Sequence, residues 1–169
     1  MKTSNILEKV TKKLQKSQAC TLAVEEISEL IIEVTNTLTG NFNYDDFCEE
    51  VADVRIMTRL VEVTFGIKRK DIRKQKKKHK DSFKEYCKEH DRVFNLQSCI
   101  YELANLQKTI CKKSRGRHNK KDILNAIVGV ELSIKYAADE KLIKEEDCKK
   151  WETKKIKRMQ KRIRSNHII

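Results

Sequence analysis

Glu25, Glu26 and Glu29 stand together in VEEISEL, and Glu49, Glu50 and Asp53 stand together in CEEVADV. Glu26 with Glu29, and Glu50 with Asp53, are i, i+3 pairs, so on a helix each pair projects from one face about one turn apart. Two such helices packed antiparallel would bring four carboxylates into one volume, with Glu33 one turn beyond Glu29 on the same stripe as an outer group. Four like charges in a partly buried site repel one another and raise each other's pKa unless a cation holds them. Oxygen donors without His or Cys suit Mg²⁺ or Mn²⁺ rather than zinc, and carboxylates on facing helices build metal sites in other bundles. A Glu pair at helical spacing on a Lys-rich protein is usually only a solvated face. What singles these residues out is their order, EExxE, a turn, then ExxD, with apolar flanks on one side.

The elements that must position them are helices. The chain has no proline and four glycines in 169 residues. That leaves too little turn chemistry for a many-stranded sheet, so the fold class is all-α. Leu22, Ile27, Leu30, Ile31, Val34 and Leu38 recur at helical spacing and stop at Gly40, which suits a helix C-terminus. The segment NFNYDD offers Asn43 or Asp45 as an N-cap. Phe47, Val51, Val54, Ile56 or Met57, and Leu60 then mark a second helix to about Phe65, and Gly66 separates it from a third, strongly basic one. Ile6, Val10 and Leu14 mark a short N-terminal helix.

Set against itself at an offset of 76, the chain aligns residues 18–80 with 94–156 without a gap. Gly40 falls on Gly116, Glu26 on Glu102, Leu30 on Leu106, Asp46 on Asp122, Val54 on Val130 and Asp71 on Asp147. The chain therefore divides at about residue 90 into two units whose apolar faces cover each other. The second unit lacks the acidic set, since Glu25, Glu29, Glu50 and Asp53 become Tyr101, Asn105, Ala126 and Gly129. It cannot hold the same metal and is expected to serve as a structural partner. Tyr101 and Asn105 either contribute to a nucleotide pocket or are what relaxed constraint has left there.

The motif EExxE followed by ExxD resembles the signature of the all-α nucleoside triphosphate pyrophosphohydrolase superfamily, which includes MazG and the dimeric dUTPases. The wider stretch from Gln18 to about Phe83 is similar to small MazG-like proteins of phages and prophages. The resemblance implies a helical bundle of two MazG-like three-helix units packed as an intramolecular pseudo-dimer. Residues 1–90 would carry the intact motif, and 91–169 would be a degenerate repeat with a basic C-terminal helix. It further implies Glu26, Glu29, Glu50 and Asp53 as metal ligands, Mg²⁺ or Mn²⁺ as cofactor, and hydrolysis of a (d)NTP to the monophosphate and pyrophosphate. Glu25 or Glu29 would orient or deprotonate the attacking water.

The net charge of +13 is concentrated in residues 68–80 and 149–165, each with nine Lys or Arg against one acid. These two basic arms could neutralise phosphates, and Arg55, Arg59, Lys68 and Lys70 are candidates for triphosphate contacts. No recognisable DNA-reading motif accompanies them. Two alternatives to the hydrolase remain open: a non-catalytic protein that sequesters or senses a nucleotide, and a basic helical module for nucleic acid. A homo-oligomer also remains open. Six cysteines without C-x-x-C spacing read as reduced thiols rather than as a disulfide framework or zinc site. With no apolar run of bilayer length and no signal-peptide core at the N-terminus, the expected location is cytoplasmic, without a membrane partner.

Overall fold

The computed structural model of the chain describes residues 3–117, 119–136 and 142–165. These form seven helices and no strand: α1 (Thr3–Lys13), α2 (Lys16–Leu38), α3 (Tyr44–Phe65), α4 (Arg69–Glu89), α5 (Arg92–Ser114), α6 (Lys120–Tyr136) and α7 (Glu145–Arg164). The all-α class follows from the composition as expected.

Local chemistry sets the helix ends. Gly40 adopts φ 85° just beyond α2, a left-handed conformation that costs a side-chain-bearing residue more than glycine. Asn43 is the N-cap of α3, its Oδ1 accepting from the backbone N–H groups of Asp45 at 3.1 Å and Asp46 at 3.4 Å. Gly66, at φ 63°, ends α3, and the N–H of Ile67 closes back on the Glu62 carbonyl at 2.8 Å. Arg92, Lys120 and Glu145 begin α5, α6 and α7, each 76 positions after Lys16, Tyr44 and Arg69, which begin α2, α3 and α4.

α2 packs along α3 and α5, and α5 packs along α6, so these four helices form the centre. Ala23, Ile27, Leu30 and Val34 of α2 meet Phe47, Val51, Val54 and Leu60 of α3 in one core that continues through Leu103, Leu106, Ile127 and Val130. α4 does not stay with α3, which it follows; it packs on α6, while α7 packs on α3. The two basic runs are therefore built into the fold rather than projecting as arms. Ile72 of α4 and Cys148 of α7 are buried, and Trp151, Ile156, Met159 and Ile163 turn the inner side of α7 onto the core.

Polar contacts fix these outer helices. Tyr44 donates to Asp147 at 2.7 Å, and Arg55 pairs with Glu145 at 2.7 Å and Glu152 at 3.3 Å, tying α3 to α7. Glu131 of α6 receives Arg69 at 2.5 Å and Lys76 at 2.8 Å from α4. All six cysteines are free, and no described helix is long and apolar enough to cross a membrane.

Candidate metal centre

The acidic residues of α2 and α3 converge where the two helices lie side by side. One carboxylate oxygen from each of Glu26, Glu29 and Glu50 lies within 4.8 Å of the other two. Glu26 and Glu50 are half-buried and Glu29 is exposed at the rim. Glu50 Oε2 is buried with no hydrogen-bond partner. Burial, followed by the charges of Asp53, Glu29 and Glu26, pushes the Glu50 carboxyl up to about 8. Burial, then the charges of Asp53 and Glu29, pushes Glu26 up to about 7.

Asp53 is the fourth acid, 6% exposed, and lies outside the three-oxygen group. Its Oδ2 accepts from Lys155 Nζ at 2.5 Å, and the same ammonium is 2.5 Å from Glu49 Oε1. Burial raises the Asp53 carboxyl despite that hydrogen bond. Burial works against the charge on Lys155, but its bonds to Asp53 and Glu49 outweigh that and raise its pKa. Lys155 comes from the middle of α7, so the site is completed by a helix about a hundred residues away in sequence.

Glu25 is exposed beside Glu26. Glu33 is occupied within α2, accepting from Asn36 Nδ2 at 3.0 Å. Arg55 is committed to Glu145 and Glu152, and Arg59 pairs with Glu152 at 3.3 Å. Lys68 and Lys70 are exposed at the start of α4, the helix that packs on α6. Two further residues join the site: Glu49, which its place in CEEVADV gives no role of its own, and Lys155. The signal for Lys155 was present but faint: it falls one turn from Trp151 and from Met159, on the inward stripe that Ile156 also marks.

Behind the acidic stretch, Gln107 of α5 donates to the Val24 carbonyl at 2.9 Å and to Ser28 Oγ at 2.6 Å, pinning α2 from its other side. The thiols of Cys48 and Cys148 hydrogen-bond across the α3–α7 contact, and burial raises both, Cys148 to about 12. Such buried, protonated thiols pack rather than react.

A donor set made only of carboxylate oxygens, one of them buried and unpartnered, fits a hard divalent cation. No family model, curated protein or solved structure matches this chain. The functional reading therefore stands on the site itself.

Proposed function

We propose that the chain is a Mg²⁺- or Mn²⁺-dependent nucleoside triphosphate pyrophosphohydrolase, converting a (d)NTP to the monophosphate and pyrophosphate. The observation that carries this reading is the convergence of Glu26, Glu29 and Glu50 around the unpartnered, buried Oε2 of Glu50. Its order along the chain resembles the MazG-like motif. The recurrence of helix starts after 76 residues supports two MazG-like units, residues 1–90 and 91–169, arranged as a pseudo-dimer. The packing of α4 on α6 and α7 on α3 supports it too, since each half then lends its last helix to the other.

Glu26, Glu29 and Glu50 would hold the cation, with Asp53 joining them when Lys155 lets go of it. A bound divalent cation supplies charge neutralisation for the triphosphate and lowers the pKa of a coordinated water. Glu25 or Glu29, both open to solvent, accepts the proton of the attacking water. Water oxygen adds to the α-phosphorus, the bond to the α–β bridging oxygen breaks, and pyrophosphate leaves with that oxygen. Lys155, at the edge of the cluster, is placed to donate to a phosphate oxygen once Asp53 is otherwise engaged. Arg55 and Arg59 act through Glu145 and Glu152, holding α7 and hence Lys155 against α3.

The test is pyrophosphate release from the common NTPs and dNTPs with Mg²⁺ or Mn²⁺, run beside Glu50→Gln. Release that needs the metal and disappears in the variant supports the hydrolase. Absence of release from every nucleotide rejects it. The hold of Lys155 on Asp53 favours one second reading, a non-catalytic nucleotide sequestering or sensing protein, and binding without product would select it.

A further inference from the structure

A cavity of about 830 Å³ opens between α4, α5 and α6. Its lining includes Asn105, Ala126 and Gly129, which lie 76 positions after Glu29, Glu50 and Asp53, and His79, which lies 76 positions before Lys155. The cavity thus occupies, in the second half, the place that the acidic cluster occupies in the first. Three carboxylates have become an amide, a methyl group and a hydrogen, which widens the space and removes three of its negative charges, leaving Glu102, the counterpart of Glu26. The Glu102 carboxylate lies against the bare Cα of Gly129, so a side chain there would have to displace it.

The lining that remains suits an anion with an apolar body. Lys78, Lys108 and Lys112 supply ammonium groups around the mouth, and all three side chains reach solvent. Of the two acids present, Asp122 is turned to the backbone N–H of Asn119 at 3.0 Å, and burial raises the Glu102 carboxyl. Phe83 and Leu132 form an apolar wall, and Gln75, Asn105 and Asn125 present carboxamides, which can both donate to and accept from a base edge. Among the described residues, acidic oxygens gather as a metal-sized group only at Glu26, Glu29 and Glu50.

We propose that this cavity between α4, α5 and α6 is a second nucleotide site, one that takes the phosphate on lysines and needs no divalent cation. The phosphate would lie against Lys78, Lys108 and Lys112, and the base against Phe83 within reach of the carboxamides. The site does not depend on turnover at the acidic cluster.

The experiment is calorimetric titration of the full chain in EDTA with the common nucleoside mono- and triphosphates, the parent nucleosides and inorganic phosphate. At least one nucleotide is expected to bind, more tightly than its nucleoside and more tightly than phosphate alone. Lys108→Glu, an exposed change that leaves the fold intact, is expected to weaken it by about tenfold or more, the scale of a lost charge-assisted hydrogen bond. Glu50→Gln is expected to leave it unchanged. No binding by any nucleotide overturns the proposal. So does binding that ignores Lys108→Glu and Lys112→Glu, binding abolished by Glu50→Gln, or binding that inorganic phosphate matches.

Discussion

Lys155 does for Asp53 and Glu49 what a bound cation would otherwise do. Its side chain is one-fifth exposed, and the ammonium sits 2.5 Å from each carboxylate. Lys155→Met keeps the aliphatic stem and removes the charge. In EDTA this variant is expected to be less stable by about 1–3 kcal/mol, below the cost of breaking a fully buried pair because water reaches this one. The Mn²⁺ concentration needed for half-maximal stabilisation should fall, since one competing positive charge is gone. Urea melts across a Mn²⁺ series measure both, and an unchanged Mn²⁺ midpoint would show that the ammonium does not compete. Glu50→Gln should act in the opposite sense. Without metal its melting temperature at pH 7 should rise, by the equivalent of about 1 kcal/mol or more, because folding forces a carboxyl that is ionised in the unfolded chain to take up a proton, and an amide carries no such cost. With Mn²⁺ it should gain nothing further. A lower melting temperature in EDTA would mean that folding imposes no such cost on Glu50. The three converging glutamates were legible in the sequence because i, i+3 spacing and one glycine turn place them without further information. Lys155 was not, because its partners lie a hundred residues away and eight other cations surround it in its own segment.

Helix limits were legible for equally local reasons: Gly40 and Gly66 stop α2 and α3, and Asn43 starts α3, each through its own backbone or side-chain chemistry. What the pattern could not say is where the third helix of each half would go. α4 and α7 each carry a narrow apolar stripe between charged faces, and such a stripe fits either partner. On α4 the choice is reinforced by Glu131 of α6, which receives both Arg69 and Lys76. Burial alone would raise that carboxyl, but the Lys76 hydrogen bond and the Arg69 charge outweigh it and hold its pKa below the ordinary value. A depressed folded pKa means that the folded state binds fewer protons than the unfolded one. Its stabilisation is present above the unfolded value of about 4.3 and is lost as pH falls through the folded value. Glu131→Gln should therefore cost about 1 kcal/mol at pH 7, discounted because Arg69 and Lys76 are each about a third exposed. The gap to wild type should narrow as the pH is taken from 7 into the acid range below the unfolded value. Urea midpoints at pH 7 and in that acid range decide it, and a gap that persists in acid would assign the effect to packing rather than charge.

At the scale of the whole molecule, the packing of α4 on α6 and α7 on α3 makes each half depend on the other. The offset of 76 residues could be read from the sequence, but it is equally consistent with two self-contained halves laid side by side. In the structure a fragment of residues 1–90 would leave bare the face of α3 that α7 covers, and would carry α4 with nothing to pack against. It would also lack Lys155, so Asp53 and Glu49 would be left as unpaired acids beside the cluster. Such a fragment, as a monomer, is expected to show no cooperative urea transition, because the surface it exposes belongs to the continuous core. Residues 91–169 alone should behave the same way. Mixed at equal concentration, the two should assemble and recover a cooperative transition. Trp151, the only tryptophan, reports that recovery, since it is partly buried on the inner side of α7, where that helix packs against the core. A blue shift of its emission on mixing, absent from 91–169 alone, is the expected result. A monomeric 1–90 fragment that unfolds cooperatively by itself would show instead that α2 and α3 suffice for a stable unit, and that α7 is an accessory to the acidic site rather than part of its core.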